Sequence, residues 1–343
     1  MASKQIHQFN RRSLLQGATV VAGIIGLGKS AAAADAKAAG SGPLIVAGAG
    51  KAVVETASGK VSGFISNGIF TFKGIPYGAS PAGAARFLPA SKPAPWAGIQ
   101  SCRWYGQVCP QEERIGWKSD EEAFMFEWDD GQPDEDCLRV NVWTPGINDN
   151  AKRSVLFWIH GGGFTAGSGQ ELKAYHGENV AQRGDVVVVT VNHRLNVLGF
   201  LNLAECGERY ATSANIGMLD LVMALEWVRD NIGRFGGDPN SVLIHGQSGG
   251  GGKTTTLLAM PAAKGLIHRA VIQSGSDPRG MPMEASLKLT AAILAELGLS
   301  KSQVAELHQM PYERLLAGSV AAQRKLAKPG QGGWNGWIRR WMP

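Results

Sequence analysis

Nowhere does this chain of 343 residues carry an apolar run long enough to cross a bilayer. A membrane-spanning helix needs about 20 apolar residues, and the best stretch, Ala18 to Gly28, has eleven. No stable membrane span is expected. Concentrated basic charge is also missing. The formal net charge is +6, but Lys4, Arg11, Arg12 and Lys29 against Asp35 supply half of that excess, and no dense Lys/Arg patch follows them. A nucleic-acid partner is therefore not indicated. Cysteines number four, Cys102, Cys109, Cys137 and Cys206; they allow three full pairings, among which the sequence does not choose. Histidine is scarce where it would matter most: of seven, only His268 and His308 follow Ser248.

What is present points to an exported, folded protein. Hydrophobic residues make up 44% of the chain and tryptophans number ten, enough for a sizeable core in one large or two small domains. Residues 1–36 read as an address. "NRRSLLQG" sets Arg11-Arg12 before the short apolar stretch, and "SAAAADAKA" offers small-residue cleavage sites near Ala34 or Ala36. This has the form of a twin-arginine export signal, so the mature protein is expected in the periplasm or outside the cell. An oxidising compartment of that kind favours a disulfide.

From Val53 to Phe87 short antiparallel strands are expected, punctuated by turn signals at Ser58-Gly59 and Asn67-Gly68. A proline-rich, loop-rich region follows to about Asp136. Then "RSVLFWIHG", "DVVVVTVNHR", "SVLIHG" and "RAVIQSG" are near-continuous apolar runs, as strands buried on both faces of a parallel sheet would be. Met218, Leu221, Leu225, Val228 and Ile232 recur at helical spacing, closed by Gly233 or the Gly236-Gly237 pair. Beyond Ser274 the pattern is helical over roughly Met283–Leu297 and Lys301–Ala317. Alternating strand and helix predict an α/β fold with a mostly parallel sheet, whose working site lies at the carboxyl ends of strands.

"IHGQSGGGGKTTTLLAM" (Ile244 to Met260) fits two chemistries. A phosphate loop needs a glycine five positions before Gly252-Lys253-Thr254, and Gln247 stands there. The serine elbow G-x-S-x-G fits without adjustment as Gly246, Gln247, Ser248, Gly249, Gly250. Such a turn lifts the Ser248 hydroxyl toward an acyl carbonyl. The oxyanion then needs preorganised N–H donors, available from Gly249 and from Gly162 and Gly163 of "HGGGF".

These motifs, with "FKGIPYG", "EDCLRVNVWTP", "VNHRLNVLGFL" and "HRAVIQSG", resemble the type-B carboxylesterases, the carboxylesterase/cholinesterase group of α/β-hydrolases. The likeness runs nearly continuously over residues 53–276 and places residues 44–343 in such a domain. It implies Ser248 as nucleophile, Gly162, Gly163 and Gly249 as the oxyanion hole, a small-molecule ester as substrate, no metal or other cofactor, and a disulfide joining Cys109 to Cys137. It assigns nothing to Cys102 or Cys206, makes His160, His245 and His268 scaffold, and sets no oligomeric state.

Two departures stand out. The family's usual elbow is Gly-Glu-Ser-Ala-Gly, whereas Gln247 and Gly249 occur here. The family also places an acid and then a histidine far beyond the serine, after further strands, whereas residues 249–343 leave 95 positions. Asp277 with His308 is the only pairing within them worth naming as acid and base. The resemblance therefore implies a C-terminally shortened fold, lacking its last strands and helices. The basic tail "WIRRWMP" supports this, because its codons read one frame over give W-D-[PST]-x-[VLM]-D-A, similar to a family segment. Two readings result: an ester hydrolase working through a Ser248 acyl-enzyme, or an impaired or non-catalytic binding protein of the same fold.

Overall fold

The computed structural model describes residues 45–112, 120–276 and 279–327, all within one compact unit, Pro43–Pro343. The export-signal reading, Asp277 and the tail "WIRRWMP" lie outside the described residues.

Short strands open the unit: β1 (Ile45–Val46), β2 (Val53–Thr56), β3 (Gly59–Ser62), β4 (Phe64–Ser66) and β5 (Ile69–Pro76). The two turn signals become two-residue hairpin loops, with Thr56 paired to Gly59 and Ser66 to Ile69. Asn67 and Gly68 take φ of 47° and 83°, the double left-handed geometry of the hairpin turn that matches strand twist. β6 (Ile99–Ser101) joins β3 in parallel, making a small sheet β2-β3-β6. Among the described residues of the loop-rich region, only α1 (Asp120–Met125) is helical before β7 (Arg139–Thr144).

The motif-bearing half alternates as expected: β8 (Arg153–Ile159), α2 (Glu178–Gly184), β9 (Val187–Val191), α3 (Asn196–Phe200), α4 (Ile216–Asn231), β10 (Gly237–Gln247), α5 (Gly249–Ala259) and β11 (Arg269–Gln273). The main sheet runs β1-β4-β5-β7-β9-β8-β10-β11. It is antiparallel from β1 to β9 and parallel across β9, β8, β10 and β11. The chain leaves β8 for β9 on one side and returns past it to β10 on the other. That reversal opens a crevice at the carboxyl ends of β8 and β10, where α/β sheets bind their ligands.

Hydrophobic burial holds this arrangement. Phe157 and Ile159 of β8, Val189 of β9 and Ile244 of β10 are fully enclosed, as are Met218, Leu221 and Val228 of α4. Each such side chain contributes about 1.5–3 kcal/mol relative to exposure. A short 3-10 turn, Ile232–Phe235, extends α4 and ends at Gly236 in the left-handed region, φ 72°.

Two expectations are corrected. β11 was expected to be buried on both faces, yet all five of its residues are exposed, Val271 at 43% and Ile272 at 40%. It is the last strand of the sheet and pairs with β10 alone, so its apolar composition is not matched by cover among the described residues. The single helix expected over Lys301–Ala317 is two elements. After α6 (Met283–Leu297), a 3-10 stretch Lys301–His308 is followed by α7 (Tyr312–Leu326). Pro311 separates them, as a residue without an N–H and with fixed φ opens a helix rather than continuing one.

Candidate active site

β10 ends at Gln247, α5 begins at Gly249, and Ser248 is the corner between them. Its φ of 56° and ψ of −120° are rare for a residue with a side chain and cost about 1–3 kcal/mol. The surroundings hold it there. Ser248 N–H donates to Gln273 O at 2.7 Å, and Gly252 N–H donates to Ser248 O at 3.1 Å. Strand and helix can cross only because side chains are missing: a Cβ on Gly246 would lie 2.4 Å from the Gly250 carbonyl carbon.

The "HGGGF" turn at the end of β8 packs against this corner. A Cβ on Gly161 would meet Ser248 Cβ at 3.8 Å, and one on Gly249 would meet Gly163 N at 2.3 Å. Gly162 and Gly163 have φ of 78° and 63°, which frees their amides from the usual turn bonds. Neither N–H donates to any described residue, and Gly249, first in α5, has no intrahelical acceptor. Three unspent donors thus lie in the two glycine segments that pack together at the serine corner. Asn196 fixes the far side of the turn, its N–H donating to Phe164 O at 2.8 Å and its side-chain amide to Thr165 O at 3.1 Å.

Beneath the turn lies a buried polar group that sequence reasoning missed. Lys253 is fully enclosed, and its Nζ donates to His160 O at 3.2 Å. Burial pulls its pKa down to about 7. Glu171 nearby accepts the Ser168 N–H at 2.9 Å and the Tyr175 hydroxyl at 3.2 Å; burial raises it to about 7. His160 and His193 stack at 5.2 Å, both held well below the usual histidine range by burial and then by Lys253. Directed at a carbonyl inside the protein, Lys253 is not presented to a phosphate. The signal for it was "GGK", weighed only as a phosphate loop.

The described histidines are engaged elsewhere. His308 Nε2 meets the Tyr210 hydroxyl at 2.7 Å and its Nδ1 faces Gly83 O at 3.0 Å. His268 Nδ1 accepts Val242 N–H at 3.2 Å, and His245 packs on Trp158 at 4.9 Å. Among the described residues no side chain hydrogen-bonds the Ser248 hydroxyl, and no cluster of three His, Cys, Asp or Glu is placed to hold a metal. Cys109 and Cys137 are neighbours and stand as free thiols. The hydrogen bond to Cys109, and then burial, hold the Cys137 thiol well above its ordinary range; closing the bridge requires an oxidant to remove both hydrogens.

Comparison with known proteins gives the same placement. Residues 50–328 match the model of the carboxylesterase family. A para-nitrobenzyl esterase of Bacillus subtilis is 41% identical over 276 residues, covering 80% of this chain and 54% of its own. A phenmedipham hydrolase of Pseudarthrobacter oxydans is 36% identical, covering 81% and 54%. The structure of an esterase from Clostridium hathewayi superposes with a TM-score of 0.71 at 45% identity, over 80% of this chain and 53% of that one. The chain spans about half the length of the curated relatives it matches. It belongs to the carboxylesterase family of α/β-hydrolases.

Proposed function

We propose that the chain cleaves small-molecule carboxylic esters through Ser248, with Gly162, Gly163 and Gly249 as the oxyanion hole. The observation that carries this is the conjunction of a strained, positive-φ serine with three glycine amides that no described residue takes up. Ser248 Oγ attacks the ester carbonyl, the carbonyl oxygen becomes an oxyanion, and the alkoxide leaves with a proton. Water then releases the acid. Each oxyanion donor is worth about 3–4 kcal/mol of barrier.

The engagement of His268 and His308 with scaffold partners supports slow turnover, because neither is poised as base to the serine. Without a base, acceleration falls to about 10³–10⁴ over water. Hydrolysis of a short-chain nitrophenyl ester is expected to be weak but measurable and to vanish in Ser248→Ala; equal rates in the two would remove the assignment. The second reading, a binding protein of the same fold, is favoured by those same engaged histidines and predicts ester affinity without any Ser248-dependent rate.

The export signal and the bridge belong to one proposal. Carried outside the cytoplasm, Cys109 and Cys137 would be oxidised to a disulfide, worth about 3–4 kcal/mol on the chain-entropy model. Peptide mass mapping of the exported protein is expected to find them joined; both recovered as thiols would refute the pairing.

A further inference from the structure

We propose that Lys253 is a positioning residue for the oxyanion turn, its Nζ tying the end of β8 to the helix that carries Ser248. This rests on the ester-cleaving reading for its consequence, though not for its geometry. Lys253 lies one turn into α5, five residues after Ser248, and reaches across to His160 O, the last carbonyl before Gly161-Gly162-Gly163. The other bonds to those three glycines are internal to the turn: Gly162 O accepts the Thr165 and Ala166 N–H groups at 3.3 and 3.1 Å, and Gly161 O faces His160 Nδ1 at 3.0 Å. Gly162 and Gly163 give no amide to any described residue, and their missing side chains leave the backbone wide freedom. Among the described residues, the carbonyl of His160 is where a side chain of the nucleophile's helix hydrogen-bonds the turn.

A lysine is a costly choice here, since an ammonium buried without a full set of partners loses its hydration uncompensated. Its setting mixes attraction and indifference. Glu171 faces it with a carboxylate that favours the ammonium, while His160 and His193 stay neutral beside it, each with an Nε2 that has no partner. The Phe164 ring, centred 6.0 Å from Nζ, adds weak cation–π attraction. With Nζ charged, its hydrogen bond to His160 O is about twice as strong as that of a neutral amine, and a positive charge stands behind the oxyanion site. With burial holding Nζ near neutrality, the fastening strengthens below about pH 7 and weakens above it.

The test compares wild type, Lys253→Met and Glu171→Gln as full chains, with two readouts. Amide exchange is read by mass spectrometry at Thr165 and Ala166, whose N–H groups donate to Gly162 O in the turn at 3.3 and 3.1 Å. Lys253→Met is expected to exchange about tenfold faster there while the α4 peptide is unchanged, as loss of one charge-assisted bond would give. Equal exchange would overturn the proposal. Labelling of Ser248 by a fluorophosphonate (Oγ–P forming, P–F breaking, the proton passing to water) is read against pH. The wild-type rate relative to Lys253→Met is expected at about tenfold near pH 6, declining several-fold above pH 8. Glu171→Gln should shift that decline to lower pH, because it removes the carboxylate that supports the ammonium. If Ser248 takes no label in any form, the nucleophile reading fails and exchange alone decides the proposal. Should Lys253→Met not fold, Glu171→Gln decides: an unmoved pH midpoint overturns it.

Discussion

Gly250→Ala is expected to destabilise the protein by at least about 3 kcal/mol, although alanine is the better helix former. Gly250 lies in α5 where the helix crosses the end of β8. An added Cβ would stand 2.1 Å from Ile159 O and 2.8 Å from His160 O. Both are main-chain atoms, at and just past the end of a central strand, and cannot swing away, so helix and strand must separate. Overpacking of this kind costs about 1–3 kcal/mol where side chains can yield, and more where they cannot. Helix propensity returns only about 1 kcal/mol. The matched control is Gly252→Ala, two residues on, whose Cβ would find Phe164 no nearer than 3.7 Å. There propensity wins, and a gain of about 0.5–1 kcal/mol is expected. Urea midpoints of the two variants check both signs. A neutral or stabilising Gly250→Ala would show that β8 and α5 do not cross as described.

Asp220→Ala is the other large loss, expected at about 3–5 kcal/mol. Asp220 of α4 takes Arg194 in a fork: Nε donates to Oδ2 at 2.8 Å and Nη2 to Oδ1 at 2.6 Å. Their side chains are 0% and 3% exposed. Arg194 N–H also donates to Oδ2 at 3.1 Å, and Nη1 donates to Leu88 O at 2.8 Å. Removing the carboxylate strands a guanidinium where water cannot reach it. The pair matters to the site because Arg194 stands two residues before Asn196, which anchors the "HGGGF" turn. Replacing both partners, Arg194→Met with Asp220→Leu, is expected to cost less than Asp220→Ala alone, since no charge is left unpaired. A double variant as unstable as the single one would contradict this account of the pair.

The serine corner was legible because glycine spacing there is dictated by contact: Gly246 and Gly250 touch, and no other residue fits. The Asn67-Gly68 hairpin was legible for a similar local reason, the left-handed φ at both positions. The parallel half of the sheet followed from apolar runs too continuous for one-sided burial. β11 shows where that inference stops. Composition says that a strand can be buried on two faces; whether anything covers it depends on distant elements, and here its residues are exposed. The Lys253 fastening was hidden for the opposite reason. A lysine after a glycine run reads as solvated or phosphate-binding, and only the fold brings His160 and Glu171 to it. His308 could be weighed as a base until Tyr210, 98 residues earlier, proved to hold its Nε2.

The central claim is that the strained serine and the three free amides act together on an acyl carbonyl. Its most direct test is to treat the full chain with a slowly released activated ester and map the acyl group by peptide mass spectrometry. The account predicts one acyl group on the peptide containing Ser248, absent from Ser248→Ala and formed at least about tenfold more slowly in a variant that displaces the Gly163 amide, such as Gly163→Pro, since losing one oxyanion donor costs about 10²–10³. Acylation spread over lysines, or unchanged in Ser248→Ala, would contradict it.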